Sequence, residues 1–464
     1  MKFGLEDHII EQIAHVLEEQ PKVDKAYIFG SRAKGNYRPD SDIDIAVKGF
    51  ELSVEDILRM SAAMDKPGIG YAVDLVDYDS IKEEALREHV DRVGVEIYSR
   101  WKKQKIGDIV TLEYGKSLAN YQADGGKYDV FGTNGKIGTT ETYLYDKPSI
   151  IIGRKGAYRE THLSESPFFV IDTAFYTKNK INELDTIFLY YWFKKIDINE
   201  MDSGSAIPST SRDEVYDLDI YLPRLSEQTE IARILKNLDN KIDLLHRQNK
   251  TLETMAEALF RQWFIVDQKD SNSIKVSDVA EINPDTISGS YPYSVIEYLD
   301  TGSITKGIIE QYQEYSLSEA PSRAQRIVKK DDIVYSLVRP IQRHYGILDS
   351  IKQNTIVSTG FCVIRCKELW THFIYLLLTL DENVEYFDMV AEGSTSAYPS
   401  LRPSDISNFE FALPDQEKLK QFSKISIDTW RKIMANKNQI ANLTAARDAL
   451  LPKLLSGEVR VKMP

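Results

Sequence analysis

Two cysteines in 464 residues, Cys362 and Cys366, are too few for a disulfide framework. They stand four apart in FCVIRC, on one face of an alternating strand. No His or Cys pair at ligand spacing accompanies them, so strand packing is their expected role. No apolar run approaches the roughly 18 to 20 residues that a membrane span needs. The opening MKFGLEDHII has neither a basic nor an apolar stretch of the kind a signal peptide uses, so the expected setting is cytoplasmic, with no membrane partner. Motor and methyl-transfer signatures are missing as well. The lone GKS at 115–117 has Val110 where a phosphate-binding loop requires glycine, and Asn283-Pro284-Asp285 is a turn fragment rather than an Asn-Pro-Pro-aromatic motif.

Positive charge is also short: 58 Lys and Arg face 71 Asp and Glu, for a net charge of −13. The first hundred residues hold 13 basic and 21 acidic side chains, so most of the excess lies there. The remainder is only mildly acidic. Any polyanion it binds gains little from nonspecific attraction, which suggests that binding partners supply much of the affinity. At this length more than one core is required, and at least three globular units are expected.

What organises the chain is a repeat. GSAIPSTSRDEVYDLDIYLP (204–223) and GSTSAYPSLRPSDISNFEFALP (393–414) echo each other, with 15 residues from Pro208 to Pro223 and 15 from Pro399 to Pro414. Upstream, KIGDIVTLEYG (105–115) matches KVSDVAEINPD (275–285). After each Leu-Pro a long helical pattern follows. In the first, Ile231, Leu235, Leu238, Ile242, Leu245, Leu252, Ala256, Leu259 and Trp263 keep a heptad seam, with Asn249 as the one polar member, suited to fixing register. The second stripe, Trp430, Ile433, Ile440, Leu451 and Leu454, is interrupted by Lys437 and Arg447. Two such helices in one chain favour an internal antiparallel pair over a homodimeric coiled coil.

Two unlike modules, each ending in an alternating strand, Leu-Pro and a long helix, form a pattern that resembles the specificity subunits of type I restriction-modification enzymes. PRLSEQTEIARIL and the shorter PDQEKLKQF are similar to that family's helix openings. YDVFGTNGKIGTTETYLYDKPSIIIGRKGAY, and PSRAQRIVKKDDIVYSLVRPIQRHYGILD with STGFCVI, resemble two types of its target-recognition domain. The resemblance covers about 360 residues and implies sequence-specific recognition of a bipartite site in double-stranded DNA. It also implies docking of two modification (methyltransferase) subunits that use S-adenosylmethionine, and of restriction (motor-nuclease) subunits. The unread gap would be set by the helices. Base-edge and phosphate contacts need polar side chains on rigid loops. The candidates are Asn134, Lys136, Arg154, Lys155 and Arg159 in the first module, and Arg323, Arg326, Arg339, Gln342 and Arg343 in the second.

A second chemistry precedes this. VDKAYIFGSRAKGNYRPDSDIDIAV (23–47) reads as a strand, a Gly30-Ser31 turn, a basic loop, and a strand whose Asp42 and Asp44, two apart, share a face and can share a divalent metal. YAVDLVDY adds Asp74 from a third strand, with Asp77 on the opposite face. Gly30 and Ser31 are placed to hold a nucleoside triphosphate. The segment resembles minimal nucleotidyltransferases of the polymerase-beta superfamily, including antitoxin-type enzymes, which implies Mg2+ and ATP as cofactors and Asp42, Asp44 and Asp74 as catalytic metal ligands.

The expected fold class is α+β and multidomain. A small α/β nucleotidyltransferase domain (1–100) precedes a first mixed α/β recognition domain (101–223) and a coiled-coil helix (224–266). A polar linker leads to a second recognition domain (274–414) and a second coiled-coil helix (415–458). Two other readings stay open. The enzyme domain could define function with the repeats only targeting it, or the repeats could form an adaptor that binds protein and no DNA.

Overall fold

The computed structural model of the chain describes residues 2–65, 68–201, 208–267, 272–393 and 399–462. It divides into two compact units, Met1–Asn240 with Thr444–Pro464, and Lys241–Leu443. Within the first unit, the N-terminal domain is a four-stranded sheet in the order β3-β2-β1-β4, made of β1 (Val23–Ile28), β2 (Ile43–Gly49), β3 (Val73–Asp77) and β4 (Val95–Ser99). Helix α1 (Asp7–Glu18) lays Ile9, Ile13 and Leu17, spaced by four, onto it. β2 and β3 run parallel with Asp44 opposite Asp74, so the sequence order of the two acids becomes side-by-side placement.

Each recognition module closes on itself in the same way. In the first, the opening strand Lys102–Lys105 pairs antiparallel with the closing strand Asp219–Leu222. In the second, Ser273–Lys275 pairs with Glu410–Ala412. The segments between keep one order. A short helix (Ile106–Ile109; Val276–Val279) leads to a strand (Val110–Tyr114; Ala280–Ile282) that pairs with Ala174–Asn179 or Phe361–Cys366. Then comes an apolar helix (Thr186–Lys194; Thr371–Thr379), and a short helix (Arg212–Tyr216; Pro403–Ser407) precedes the closing strand. Single hydrogen bonds repeat too. Lys180 N donates to Ile109 O and Lys367 N to Val279 O; Thr210 N donates to Arg154 O and Leu401 N to Leu337 O. Asp185 caps the first apolar helix by accepting from Ile187 N and Phe188 N, and that helix buries Phe188, Leu189, Tyr191, Trp192 and Phe193. The modules differ in their second sheets, which have three strands in one and five in the other. Residues 204–207 of the first repeat and 394–398 of the second lie outside the described residues.

The long helices span Leu225–Arg261 and Gln416–Ser456. The first ends in a wider turn, Gln262–Val266. The expected seam is buried or half-buried at every position from Ile231 to Trp263. In the first unit, Ile231 and Leu235 share a core with Leu454 and Leu455, and Arg447 pairs with Asp239 at 2.8 Å. In the second, Asn436 Nδ2 donates to Asn249 Oδ1 at 2.8 Å, and Phe260 meets Phe422 with ring centroids 5.7 Å apart. Within each unit the partners run in opposite directions, so the pairing is antiparallel. The two residues that interrupt the second stripe are thereby explained. Arg447 has Asp239, itself bonded to the Tyr191 hydroxyl at 2.6 Å, and Lys437 Nζ donates to Gly307 O at 3.0 Å.

Both seam asparagines are buried, Asn249 at 7% exposure and Asn436 at 1%. Asn436→Leu leaves the Asn249 amide without a partner, at a cost of about 1–3 kcal/mol, and should lower the melting temperature of the intact chain by several degrees. The double Leu variant should recover most of that loss, since two apolar groups replace a satisfied pair. A double variant melting no higher than the single one would contradict the pairing.

Candidate nucleic-acid interface and nucleotidyl-transfer site

At the N-terminal site, Gly30 opens a short helix, α2 (Gly30–Lys34), at φ +71°. A Cβ there would come within 2.0 Å of Asp44 Oδ2, so only glycine lets the turn lie against that carboxylate. Asp44 is half-buried, while Asp42 and Asp74 are exposed. Burial first, then the charges of Asp74 and Asp42, raise Asp44 above the ordinary carboxylate range. A set of mutually repelling carboxylates beside a glycine turn fits a hard divalent cation, which would relieve that repulsion. Among the described residues, no three acidic, His or Cys side chains stand close enough together to hold a metal ion. The residue sequence reasoning missed here is Arg32. It is 1% exposed, and its guanidinium donates to the carbonyls of Ser41, Asp42 and Phe3 while lying 4.5 Å from the Tyr71 ring centre. It fixes the segment that delivers Asp42 and Asp44 to β2. Its position directly after Gly30-Ser31 was the available signal.

In the first module, Asn134 is exposed in the two-residue turn between Tyr128–Gly132 and Gly135–Thr140. The Thr133 hydroxyl beside it ties this turn to the next loop by donating to Lys155 O at 2.7 Å. Lys155 is exposed, and its loop is pinned to the Pro-Ser repeat by a bridge to Ser209 and by Gly156 N donating to Pro208 O. Arg154 is half-buried and donates twice to Asp172 O. Two expectations need correction. Lys136 lies on a strand rather than in a loop, ion-paired with Asp129 at 2.8 Å. Arg159 is 2% exposed, and its Nη2 donates to the carbonyls of Asn199 and Met201 while Nε and Nη1 lie buried without a partner, so in this structure it braces backbone from within rather than standing at the surface.

In the second module, the loop after strand Asp332–Ser336 is pinned likewise, by a Val338–Ser400 bridge and by Arg339 N donating to Pro399 O. Arg339 and Arg343 bracket the turn Pro340–Gln342 at φ +46° and +60°, left-handed positions that cost non-glycine residues about 1 kcal/mol or more each. Such strain persists only where the surroundings impose it. Here Asp381 accepts from Arg343 at 2.5 Å, and Asp388 accepts from Ile341 N. Arg339 and Gln342 are exposed and Arg343 is half-buried, so three candidates share one strained loop. Arg323 is exposed before strand Ala324–Ile327, whereas Arg326 lies on that strand and reaches Thr286 Oγ1 at 3.4 Å, not in a loop as expected.

The twofold frame has a counterpart among known proteins. A family profile described as the type I restriction modification DNA specificity domain matches residues 98–254 and 268–444. The chain belongs to the type I restriction-modification DNA specificity family. Its function is sequence-specific DNA recognition as a specificity subunit. The specificity subunit of the type I restriction enzyme MjaVIII of Methanocaldococcus jannaschii is 25% identical over 82% of this chain and 97% of its own length. The MjaIX specificity subunit of the same organism is 27% identical over 59% of this chain and 69% of its own. In fold, the chain is similar to the crystal structure of the type I S subunit from M. genitalium, with a TM-score of 0.57, 18% identity, and coverage of 78% of this chain and 97% of that one. Residues 11–103 match a second profile, polymerase beta nucleotidyltransferase, so this family member carries that domain at its N-terminus. Among the described residues, no helix is long and apolar enough to cross a membrane.

The raised Asp44 carries a stability consequence. In a group whose folded-state value lies above its unfolded one, ionisation costs the folded chain free energy. That cost is absent below the ordinary carboxylate value and complete once pH exceeds the raised value. Asp44→Asn should therefore raise the melting temperature at pH 7, with the gain shrinking as pH falls toward 4. A gain that is equal at both pH values, or absent at pH 7, would contradict the crowding of charge at this site.

Proposed function

We propose that the chain reads a bipartite DNA target, one half with each module, and docks two modification subunits to which restriction subunits add. The observation that supports this reading most directly is the frame built twice, each time with a basic loop pinned to a Pro-Ser segment and an unlike second sheet. One architecture thus presents two different sets of side chains. The base-contact candidates are Asn134, Arg154 and Lys155 on one side, and Arg323, Arg339, Gln342 and Arg343 on the other. Transfer of a methyl group from S-adenosylmethionine belongs to the modification subunits. The chain's acidity fits a reader whose affinity is completed by its partners.

In this reading the paired helices set the gap between half-sites. A helix rises about 1.5 Å per residue, so adding one heptad to each long helix at facing positions lengthens the spacer by about 10 Å. At about 3.4 Å per base pair that is about three base pairs. The assembled complex, titrated with duplexes whose gap grows one base pair at a time, should shift its optimum by that amount. An unchanged optimum would remove the spacer role.

The N-terminal domain favours a second reading, transfer of AMP from ATP to a protein acceptor with release of pyrophosphate. Bound Mg2+ would supply charge neutralisation of the triphosphate, with Asp42, Asp44 and Asp74 as its holders. Gly30 leaves the carboxylate side open, Ser31 offers a hydroxyl to phosphate oxygens, and Arg32 keeps the Asp42 segment in place. Transfer of label from α-labelled ATP to a protein acceptor should need Mg2+ and fall at least a hundredfold in an Asp42→Ala, Asp44→Ala double variant. Undiminished labelling in that variant would rule the site out.

A further inference from the structure

The repeated hydrogen bonds allow the two modules to be compared position by position. Lys180 N to Ile109 O matches Lys367 N to Val279 O, which sets Ile109 against Val279 and, five residues on, Tyr114 against Pro284. Thr210 N to Arg154 O matches Leu401 N to Leu337 O. The next residues, Ser211 and Arg402, each donate a backbone N–H to the acid three positions later, Glu214 and Asp405, which sets Arg212 against Pro403. Four positions of one frame are thus Tyr114, Arg154, Thr210 and Arg212 in the first module, and Pro284, Leu337, Leu401 and Pro403 in the second.

In the first module three of these side chains, Tyr114, Arg154 and Arg212, cluster, and the Thr210 backbone N–H is bonded to Arg154 O. The Arg212 guanidinium lies 4.0 Å from the centre of the Tyr114 ring, and that of Arg154 lies 5.0 Å from it. Tyr114 is 48% exposed, so the stack stands at the surface. Two buried polar atoms at these positions have no hydrogen-bond partner, Arg212 Nε and the hydroxyl of Thr210, a residue only 2% exposed. Native proteins seldom leave such groups unmade, because each costs about 1–3 kcal/mol. Other buried arginine nitrogens share this state, so what sets the position apart is the exposed aromatic-guanidinium stack.

The phosphodiester backbone is the same whatever the sequence, so contacts to it are expected from the frame that both modules share. Side chains present in one module and apolar in the other are where a difference in sequence is encoded. A guanidinium is planar by resonance, and stacking on a tyrosine fixes where that plane lies, the condition under which arginine donates two bonds to the edge of guanine. We propose that Arg212, held on Tyr114 beside Arg154, is a specificity-determining residue of the first module and reads a guanine edge in its half-site. This rests on the DNA-recognition reading above.

The test uses the complex assembled with its modification subunits, selecting from duplexes randomised across the target. The parent should enrich a target with two half-sites. Arg212→Ala should lose about ten- to a hundredfold of the preference at one G·C pair of one half-site and leave the other half-site unchanged. Arg212→Lys should lose most of the same preference, because an ammonium cannot make the planar paired donation, although it would largely keep a phosphate contact. Should Arg212→Ala fail to fold, Arg212→Lys, which preserves charge and stem, decides the matter. Full preference retained in either folded variant, or weakening spread evenly over all sequences, overturns the proposal while a selective parent leaves DNA recognition standing. A parent complex that selects no sequence overturns both.

Discussion

The structure depends on a return. Each module must bring its last strand back beside its first before the chain enters a long helix, and it does so twice with the same antiparallel pair, Asp219–Leu222 on Lys102–Lys105 and Glu410–Ala412 on Ser273–Lys275. Because the end is fixed to the beginning, everything between is an insertion whose shape can vary without moving the helix. The second sheets exploit that freedom, and so do the loops after Gly153 and Ser336. The same return places the Pro-Ser segments against those loops, which converts flexible basic stretches into held ones.

The N-terminal domain is bound into its unit by charge as well as by chain connection. Arg100, at the junction, pairs with Glu227 of the first long helix at 2.8 Å, and Arg460, near the chain's other end, donates to the carbonyls of Pro21 and Lys22 and pairs with Asp24. Glu227 is 4% exposed, and burial pushes its carboxyl up while Arg100 draws it down. In such surroundings removing one partner is costly, because the other charge is left buried. The domain and the start of the helix therefore behave as one piece, and β1 runs from this anchor to the Gly30 turn.

Much of this was legible in the sequence, for reasons that differ by element. The heptad seam could be read because burial along a helix depends only on spacing, and Asn249 stood out as its single polar member. Its partner Asn436 did not, because the second stripe carries Lys437 and Arg447, whose partners Gly307 and Asp239 are distant in sequence. The Gly-Ser turn and the Asp pairs were readable from alternation, but Arg32 looked like any basic loop residue until its burial was seen. Arg159 failed for the same reason in reverse: composition cannot tell a surface arginine from one spent on Asn199 and Met201 carbonyls. The left-handed Arg339 and Arg343 have no signature of glycine or asparagine, so the strain of that loop shows only in three dimensions.

One frame used twice to present unlike side chains predicts what the assembled enzyme marks. A base-resolution methylation map of DNA from a host expressing the chain with its modification subunits tests this most directly. A single motif of two dissimilar half-sites at a fixed gap is the expected result. A continuous motif, a palindrome, or methylation with no motif at all would contradict the account.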